Sequence, residues 1–347
     1  MVLGLSGDLS FMILTLLLFA LSAGAIYFAC EYFVNGVEWL GHRLNLGATA
    51  TGTVLAAFGT ALPESAVTFS AVVMGDTAAR KDIGVGAALG GPLVLATIAY
   101  AVVGFALLAN RKSKKRHGAS RHQVEVDQAK LSRDQAWFMA IFVVKAGLGL
   151  VAFAIKPWLG VLFLLAYAIY VWRELSDEAS GDDEDFEPLK IRPRDTNPTM
   201  FWVALQTLAA LAVVAAASHV FVKQLEALGI AFGMSPHMVA LLLSPVATEL
   251  PETMNALIWV RQGKERLALA NISGAMMIQA TIPSALGIFF TPWLFDGPLM
   301  VAAVVTMVAV GYLWTLFRRG VMDSRKLAGA GLLYLVFAGY VIWYFGR

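Results

Sequence analysis

Gly59-Thr60-Ala61-Leu62-Pro63-Glu64 lies in the middle of a long apolar run, and Ala247-Thr248-Glu249-Leu250-Pro251-Glu252 repeats its pattern in a second such run. In a helix, each central proline removes one hydrogen bond and frees the carbonyl four residues earlier. A carboxylate at membrane depth is costly unless it faces a partner, a cation or water. The threonine and the glutamate that ends each hexad are four residues apart, so on a helix they share one face. A carbonyl, a hydroxyl and a carboxylate therefore converge, and oxygens of these kinds bind hard cations.

The composition identifies the class of protein in which these two hexads lie. Of the 347 residues, 59% are hydrophobic and only 14% are charged, and the mean hydropathy is +0.70. A soluble domain carries about 25% charged residues, so the sequence indicates an integral membrane protein. The single cysteine, Cys30, excludes an intrachain disulfide framework. The first thirty residues lack a basic segment and a small-residue cleavage site, so we interpret them as a retained first span.

Apolar runs of about 20 residues each cross a bilayer once, and the sequence predicts an all-α protein with ten such spans. The hexads fall in spans 2 and 7, which we expect to be broken helices. The predicted spans are 9–34, 46–74, 83–109, 135–155, 157–172, 199–228, 236–260, 267–291, 297–317 and 327–346.

The distribution of basic residues gives an orientation to these spans. The odd-numbered loops hold 20 lysines and arginines, whereas the even-numbered loops, the termini and the end of span 6 hold 5, and Lys145 falls in the middle of a span. Basic loops stay on the cytoplasmic side. We therefore expect the odd-numbered loops to be cytoplasmic and both termini to lie outside.

The two hexads occupy the same place in each half of five spans. Because five is odd, the second half enters the membrane in the opposite sense, which is the pattern of an inverted-repeat transporter. We predict a first repeat at 1–174, an acidic cytoplasmic linker at 175–198 and a second repeat at 199–347. The acidic spacing does not fit a calcium-binding EF-hand loop, so we expect a solvated, flexible linker.

Spans 3 and 8 follow the hexads and carry segments of small residues at 84–92 and 270–275. At these residues the chain resembles the cation/calcium exchanger superfamily, specifically the short prokaryotic sodium/calcium exchanger-type antiporters. Members of that family carry two inverted repeats, each with Gly-Thr-Ser-Leu-Pro-Glu followed in the next helix by Gly-Asn-x-x-Gly-Ser-Asn-Ile-x-Asn or Asp. The resemblance implies a multi-pass plasma (inner) membrane protein that exchanges a cation, which we expect to be Ca²⁺, against Na⁺ or H⁺ by alternating access. It implies inorganic cations and the lipid bilayer as partners, with no cofactor and no nucleic acid, and it leaves the oligomeric state open.

The resemblance also implies a set of cation ligands, although the second motif departs from the family pattern. Ala87, Gly91, Pro92 and Leu95 replace polar family residues in the first half, and Ala275 and Met276 do so in the second. Glu249 stands in place of the family serine and adds a third carboxylate close to Glu252, so we expect their protonation to be coupled. The sequence leaves Na⁺ and H⁺ open as the coupling ion. The implied cation-binding residues are Thr60, Glu64, Thr248, Glu249, Glu252 and Gln279.

Other interpretations of the same residues stay open from the sequence. The same residues also fit an exchanger of Mg²⁺, Mn²⁺ or K⁺, a cation channel, or a membrane protein that only senses ions. The glutamates are structural if they pair with a base such as Lys145, which we otherwise expect to snorkel or to pair with another group. The threonines are structural if they bond only to their own helices. No nucleophile, redox or phosphate-loop constellation supports an enzyme.

Overall fold

The computed structural model describes residues 2–73, 78–109, 128–176, 187–234, 238–318 and 323–347. Within these ranges, side chains are described except at 2–10, 49, 62–64, 66–67, 70–71, 78–83 and 240. The described regular elements are helices, which confirms the predicted all-α class.

The first half of the chain forms helices close to the first five predicted spans. A short turn at Ala48–Ala50 and a π-helical segment at Thr51–Ala56 lead into α2, and a second π-helical segment, Leu95–Ala99, joins α3 to α4. A 3₁₀ turn at Lys156–Leu159 precedes α6. The helices are α1 (Val2–Arg43), α2 (Ala57–Val73), α3 (Ala78–Val94), α4 (Tyr100–Ala109), α5 (Gln128–Leu148) and α6 (Gly160–Ser176).

The second half follows the last five predicted spans in the same way. A π-helical segment, Val239–Leu243, precedes α8, and it begins 188 residues after the π-helical segment that starts at Thr51. Both hexads are therefore preceded by the same local irregularity. The helices are α7 (Met200–Ala231), α8 (Ser244–Thr248), α9 (Leu250–Gln262), α10 (Glu265–Phe290), α11 (Gly297–Arg318), α12 (Ser324–Gly329) and α13 (Gly331–Phe345).

Within the described residues, seven helical stretches are long and apolar enough to cross a membrane. The predicted spans 2, 4 and 7 are not among them. The helices there are interrupted, as in spans 2 and 7, or begin with charged residues, as in span 4. A chain with seven such stretches is a multi-pass membrane protein, whereas the count of ten stays a prediction. The seven stretches are Phe11–Arg43, Gly84–Ala109, Lys156–Ser176, Met200–Ala231, Glu265–Phe290, Gly297–Arg318 and Ser324–Phe345.

The two hexads differ in how they interrupt their helices. The second hexad is broken as predicted, because α8 ends at Thr248 and Glu249 leaves the helical conformation with φ −85° and ψ 4°. In span 2 the interruption lies before the hexad, in the π-helical segment Thr51–Ala56, and α2 then continues through Pro63. One proline removes a single backbone hydrogen bond, which a helix tolerates. The second copy carries two prolines six residues apart, Pro245 and Pro251, and the chain turns between them.

The predicted fourth span was misplaced by about two turns of helix. The sequence predicted 135–155, but α5 begins at Gln128 and ends at Leu148. Lys130 and Asp134 start this helix and are nevertheless buried, so hydropathy placed the start too late. The apolar residues after Leu148 are not helical, and they led the prediction to extend the span too far.

The centre of the molecule is α10, which is buried along almost its whole length. It packs against α2, α9, α5 and α6, while α1 and α7 lie along each other beside this core. Glycines set the closest approaches. A Cβ at Gly274 would overlap backbone atoms of Thr53, and a Cβ at Gly90 would overlap the ring of Pro245. Small residues at such crossings allow the helices to approach closely.

The end of the acidic linker differs from the flexible segment that we expected. Trp39 Nε1 donates to the carbonyl oxygen of Glu187 over 3.0 Å, and the backbone N–H of Lys190 donates to Asn35 Oδ1 over 3.0 Å. Leu189 is fully buried. Residues 187–198 therefore pack on α1, because tryptophan and asparagine side chains satisfy their backbone groups. Residues 177–186 of the predicted linker lie outside the described residues.

Candidate cation-binding site

The break between α8 and α9 places two carboxylates inside the protein. Glu249 is 0% exposed and Glu252 is 1% exposed. Glu252 lies in the first turn of α9, where free backbone N–H groups and the helix dipole favour a negative charge. Pro251 is also in this turn, where its missing N–H costs no helical hydrogen bond. The local sequence thus ends one helix, starts the next and directs two acids into the core.

Helix α10 presents two amide side chains to this break. Gln279 Nε2 donates to Glu249 Oε1 over 2.5 Å, and Asn271 Nδ2 donates to the carbonyl oxygen of Glu252 over 3.3 Å. Both amides are buried. The structure therefore brings together Glu249 and Gln279, which the sequence placed in the same cation site.

The two threonines of the hexads use their hydroxyl protons within their own helices. Thr60 Oγ1 donates to the carbonyl oxygen of Ala56, and Thr248 Oγ1 donates to that of Pro245, each over 3.1 Å. Thr60 is buried and Thr248 is half-buried. Each hydroxyl oxygen keeps lone pairs that a cation can use. A ligand role and the back-bonding interpretation are thus compatible.

The backbone of Glu64 lies in α2, but its side chain is outside the described ones. That Glu64 and Glu252 meet across one pocket therefore stays a prediction. Among the described residues, no three His, Cys, Asp or Glu side chains gather as a metal cluster. The proposed ligands are carboxylate, hydroxyl and amide oxygens, which suit a hard cation such as Ca²⁺.

Two buried polar side chains near the hexads were missed from the sequence. Neither amide atom of Asn255 has a hydrogen-bond partner among the described residues, and the same is true of Thr68 Oγ1. Both side chains are 0% exposed. Asn255 follows Glu252 by three residues and Thr68 follows Glu64 by four, so each continues the polar face of its helix. That spacing was the signal in the sequence.

A second polar network lies beside the core and contacts Ser273 of α10. Gln135 Nε2 donates to Tyr100 OH over 3.0 Å, and that hydroxyl lies 3.1 Å from Ser273 Oγ. Nearby, Glu174 Oε2 accepts from Lys130 Nζ over 2.5 Å and from Thr53 Oγ1 over 2.9 Å. These bonds connect α5 and α6 to the helices that carry the candidate ligands.

Lys145, which we expected to snorkel or to pair, does not reach the surface. Its side chain is 0% exposed, and its Nζ donates to the carbonyl oxygens of Ala88 over 2.6 Å and Gln279 over 3.4 Å. A buried ammonium is stable only where oxygens replace its hydration. The expectation of snorkelling was therefore wrong.

Comparison with solved structures finds the same fold in a known exchanger. Structures of the sodium-calcium exchanger NCX_Mj match with a TM-score of 0.73 at 19% identity, covering 94% of this chain and 97% of that one. One of these structures was soaked with 2.5 mM Na⁺ and 0.1 mM Ca²⁺. At this identity the likeness concerns the fold.

Two curated bacterial proteins resemble the chain over nearly its full length. The putative antiporter CaxA of Alkalimonas amylolytica is 23% identical over 324 residues, which is 91% of this chain and 93% of that protein. The inner membrane protein YrbG of Escherichia coli (strain K12) is 24% identical over 335 residues, which is 92% of each chain. The model of the sodium/calcium exchanger protein family matches residues 14–175 and 202–346, most of the sequence. The chain therefore belongs to the sodium/calcium exchanger protein family, a family of membrane transporters.

Proposed function

We propose that this protein is a secondary active antiporter that exchanges Ca²⁺ for Na⁺ or H⁺ by alternating access. The observation that carries the proposal is the pair Glu249 and Glu252, buried at a helix break and bonded to the amide-bearing face of α10. Buried acids in a membrane helix mark an ion pathway far more often than a structural feature. The bound cation would use Thr60, Glu64, Thr248, Glu249, Glu252 and Gln279.

The duplicated geometry supports an inverted repeat with ten spans, a first repeat at 1–174 and a second at 199–347. The two π-helical segments begin 188 residues apart, and the hexads have the same offset. Gly274 of α10 packs on Thr53 before α2, and Gly90 of α3 packs on Pro245 of α8. Each crossing thus joins a helix of one half to an element of the other half. Interrupted helices at corresponding positions mark the transport site in such folds.

Charge compensation explains how such a site can exchange ions. The three carboxylates of the proposed site, Glu64, Glu249 and Glu252, would be balanced by a divalent ion with one proton, or by three monovalent ions, so the two cargoes would compete for the same negative charge. An unbalanced buried charge is costly, so the unoccupied site resists the closed intermediate. The α1 and α7 pair, which lies beside the core, is the element that we expect to move relative to it.

The test is uptake of labelled Ca²⁺ into sealed vesicles, driven separately by a Na⁺ gradient and by a pH gradient. Antiport requires an opposed ion gradient and saturates, whereas a channel needs no exchange partner. We expect Glu64→Gln and Glu252→Gln each to abolish gradient-driven uptake. The matched control is Glu31→Gln, because Glu31 is a carboxylate at the protein surface, 3.7 Å from Lys190 Nζ.

Each result assigns a different conclusion. Uptake under only one of the two gradients identifies the coupling ion. Uptake at the parent rate in Glu252→Gln would reject the proposed site. Uptake without any opposed gradient would identify a channel, and no Ca²⁺ uptake with either gradient would direct the same assay to Mg²⁺, Mn²⁺ or K⁺.

A further inference from the structure

Two prolines outside the hexads expose backbone carbonyls in the core. Pro92 lies inside α3 and Pro283 lies inside α10. A proline nitrogen carries no hydrogen, so the carbonyl four residues earlier loses its helical partner. The two carbonyls concerned are those of Ala88 and Gln279. An exposed carbonyl in an apolar core is costly unless another donor or a cation satisfies it.

Lys145, on a third helix, donates hydrogen bonds to both carbonyls. It lies in the last turn of α5, with its Nζ 2.6 Å from Ala88 O and 3.4 Å from Gln279 O. The same Nζ lies 5.1 Å from the ring centroid of Phe142, and Ser284 Oγ also donates to Gln279 O over 3.3 Å. The ammonium is therefore placed between α3 and α10 by two carbonyls and an aromatic face.

These surroundings resemble a site for a monovalent ion. Carbonyl oxygens replace the hydration shell of small cations, and an aromatic face attracts a cation further. Gln279 connects this position to the carboxylates, because its side chain donates to Glu249 while its carbonyl accepts from Lys145. The ammonium of Lys145 is thus in contact with Gln279, a residue of the candidate transport site.

We propose that Lys145 is a resident monovalent cation of the transport core. Its ammonium fills a carbonyl site between α3 and α10 that a small monovalent cation would otherwise occupy. The protein itself then supplies one of the positive charges beside the central carboxylates, and one exchanged monovalent ion fewer is needed. This last consequence rests on the proposed antiport, whereas the carbonyl site does not.

Thermal unfolding of the purified protein tests the carbonyl site without any transport. Lys145→Ala removes the ammonium and leaves space for a substitute. In tetramethylammonium chloride, which is too large to enter, we expect a lower Tm than in the parent. Na⁺ or n-propylammonium at the same ionic strength should restore at least half of the loss in a saturable way. The neutral molecule n-propanol should not.

Two further variants distinguish cation binding at this site from cation binding at the carboxylates and from an unspecific effect of losing a lysine. The cation response should persist in Lys145→Ala combined with Glu252→Gln, which removes one of the proposed transport ligands. Lys145→Met keeps the apolar stem and is the alternative if Lys145→Ala does not accumulate. Three outcomes would overturn the proposal. They are parent-level stability of Lys145→Met in tetramethylammonium, rescue by n-propanol, and failure to obtain either variant as folded protein in any of these salts.

Vesicle uptake tests the consequence for coupling. Ca²⁺ uptake by Lys145→Ala should depend more steeply on the monovalent cation concentration than in the parent, as expected if one more monovalent ion is exchanged per Ca²⁺. Lys156→Ala is the matched control, because Lys156 Nζ donates to the carbonyls of Val151, Pro292 and Trp293 over 2.6–2.9 Å but is not bonded to a candidate ligand in those contacts. It should keep the parent dependence. An unchanged dependence in Lys145→Ala, despite Tm rescue, would remove the coupling role and leave the carbonyl site.

Discussion

Glu249 is the carboxylate that the family motif does not supply, and its position suits a group that exchanges a proton. It lies at the break between α8 and α9 and accepts from Gln279 through Oε1. Glu252 is three residues away and is equally buried. Two carboxylates in one confined site titrate together rather than independently. In the proposed exchange, a proton on this pair would therefore compete with the metal ion.

We expect Glu249→Ala to change the pH dependence of Ca²⁺ uptake more than its maximal rate. In the parent, acidification should slow uptake as a proton occupies the pair, and without Glu249 this decline should become shallower. The measurement is the initial rate across a pH series in sealed vesicles. Glu226→Gln, on α7, is the control and should keep the parent profile. A parental profile in Glu249→Ala would remove Glu249 from the proton-carrying role.

Asn255 gives a second prediction, because its buried amide has no hydrogen-bond partner among the described residues, and an unpaired buried amide costs about 1–3 kcal/mol. Such a cost is tolerated where the amide binds something else, and Asn255 extends the polar face of Glu252. We expect Asn255→Ala to raise the half-saturating Ca²⁺ concentration about tenfold, which corresponds to about 1.4 kcal/mol, with no loss of Tm. Half-saturation at the parent concentration would assign the amide no part in binding.

At this scale the sequence predicted the candidate site only in part. It placed Gln279 with Glu249 because both lie at motif positions, and the structure bonds them. It did not predict the environment of Lys145, although a proline four residues after Ala88 and another four after Gln279 were visible. Which lysine reaches a freed carbonyl depends on the packing of three helices, and a linear sequence does not contain that distance.

The helices of the core meet where glycines remove the side chain, and this crossing can be tested directly. A Cβ at Gly274 would overlap the carbonyl oxygen and Cα of Thr53, and would lie 2.8 Å from Ala57 Cβ. We expect Gly274→Ala to lower stability by about 1–3 kcal/mol and to reduce uptake, since α10 would be pushed away from the hexad of α2. Thermal unfolding of the purified protein measures the first effect.

Gly86 is the matched control in the equivalent small-residue segment of α3. Among the described residues, no atom lies within 4 Å of a Cβ built there, and alanine is favoured over glycine in a helix by about 0.5–1 kcal/mol. Gly86→Ala should therefore keep or raise the Tm. Equal losses in Gly274→Ala and Gly86→Ala would mean that helix crossing is not the cause.

Element boundaries were predictable wherever the chain is apolar and failed where polar residues are buried. The predicted spans 199–228 and 297–317 are close to α7 and α11. The start of α5 was missed because Lys130 is paired with Glu174 inside the protein. Hydropathy treats every charge as solvated, so a buried ion pair shifts the predicted end of a helix.

At the scale of the whole molecule, hydrogen bonds join the peripheral helix pair, α1 and α7, to the buried core. Glu38 of α1 accepts from Trp259 Nε1 over 2.7 Å and from Lys264 Nζ over 2.5 Å. These bonds connect α1 to the end of α9. If α1 moves against the core during exchange, these bonds must change. These hydrogen bonds lie at the end of the molecule that we predict to be cytoplasmic, so the proposed movement of α1 would have to rearrange them there.

The predicted orientation of the two halves rests only on the count of basic residues in the loops. Cysteine labelling tests this orientation. Cys30 is fully buried, so the parent gives a low background. Single cysteines are introduced at four exposed positions, Lys223, Arg261, Arg325 and Arg347. We expect Lys223→Cys and Arg347→Cys to react with an impermeant maleimide on intact cells, because the end of span 6 that carries Lys223 and the C-terminus are predicted to lie outside. Arg261→Cys and Arg325→Cys should react only after the membrane is opened. Labelling of Arg261→Cys from outside would place the end of α9 on the wrong side, and the two hexads would then no longer enter the membrane in opposite senses.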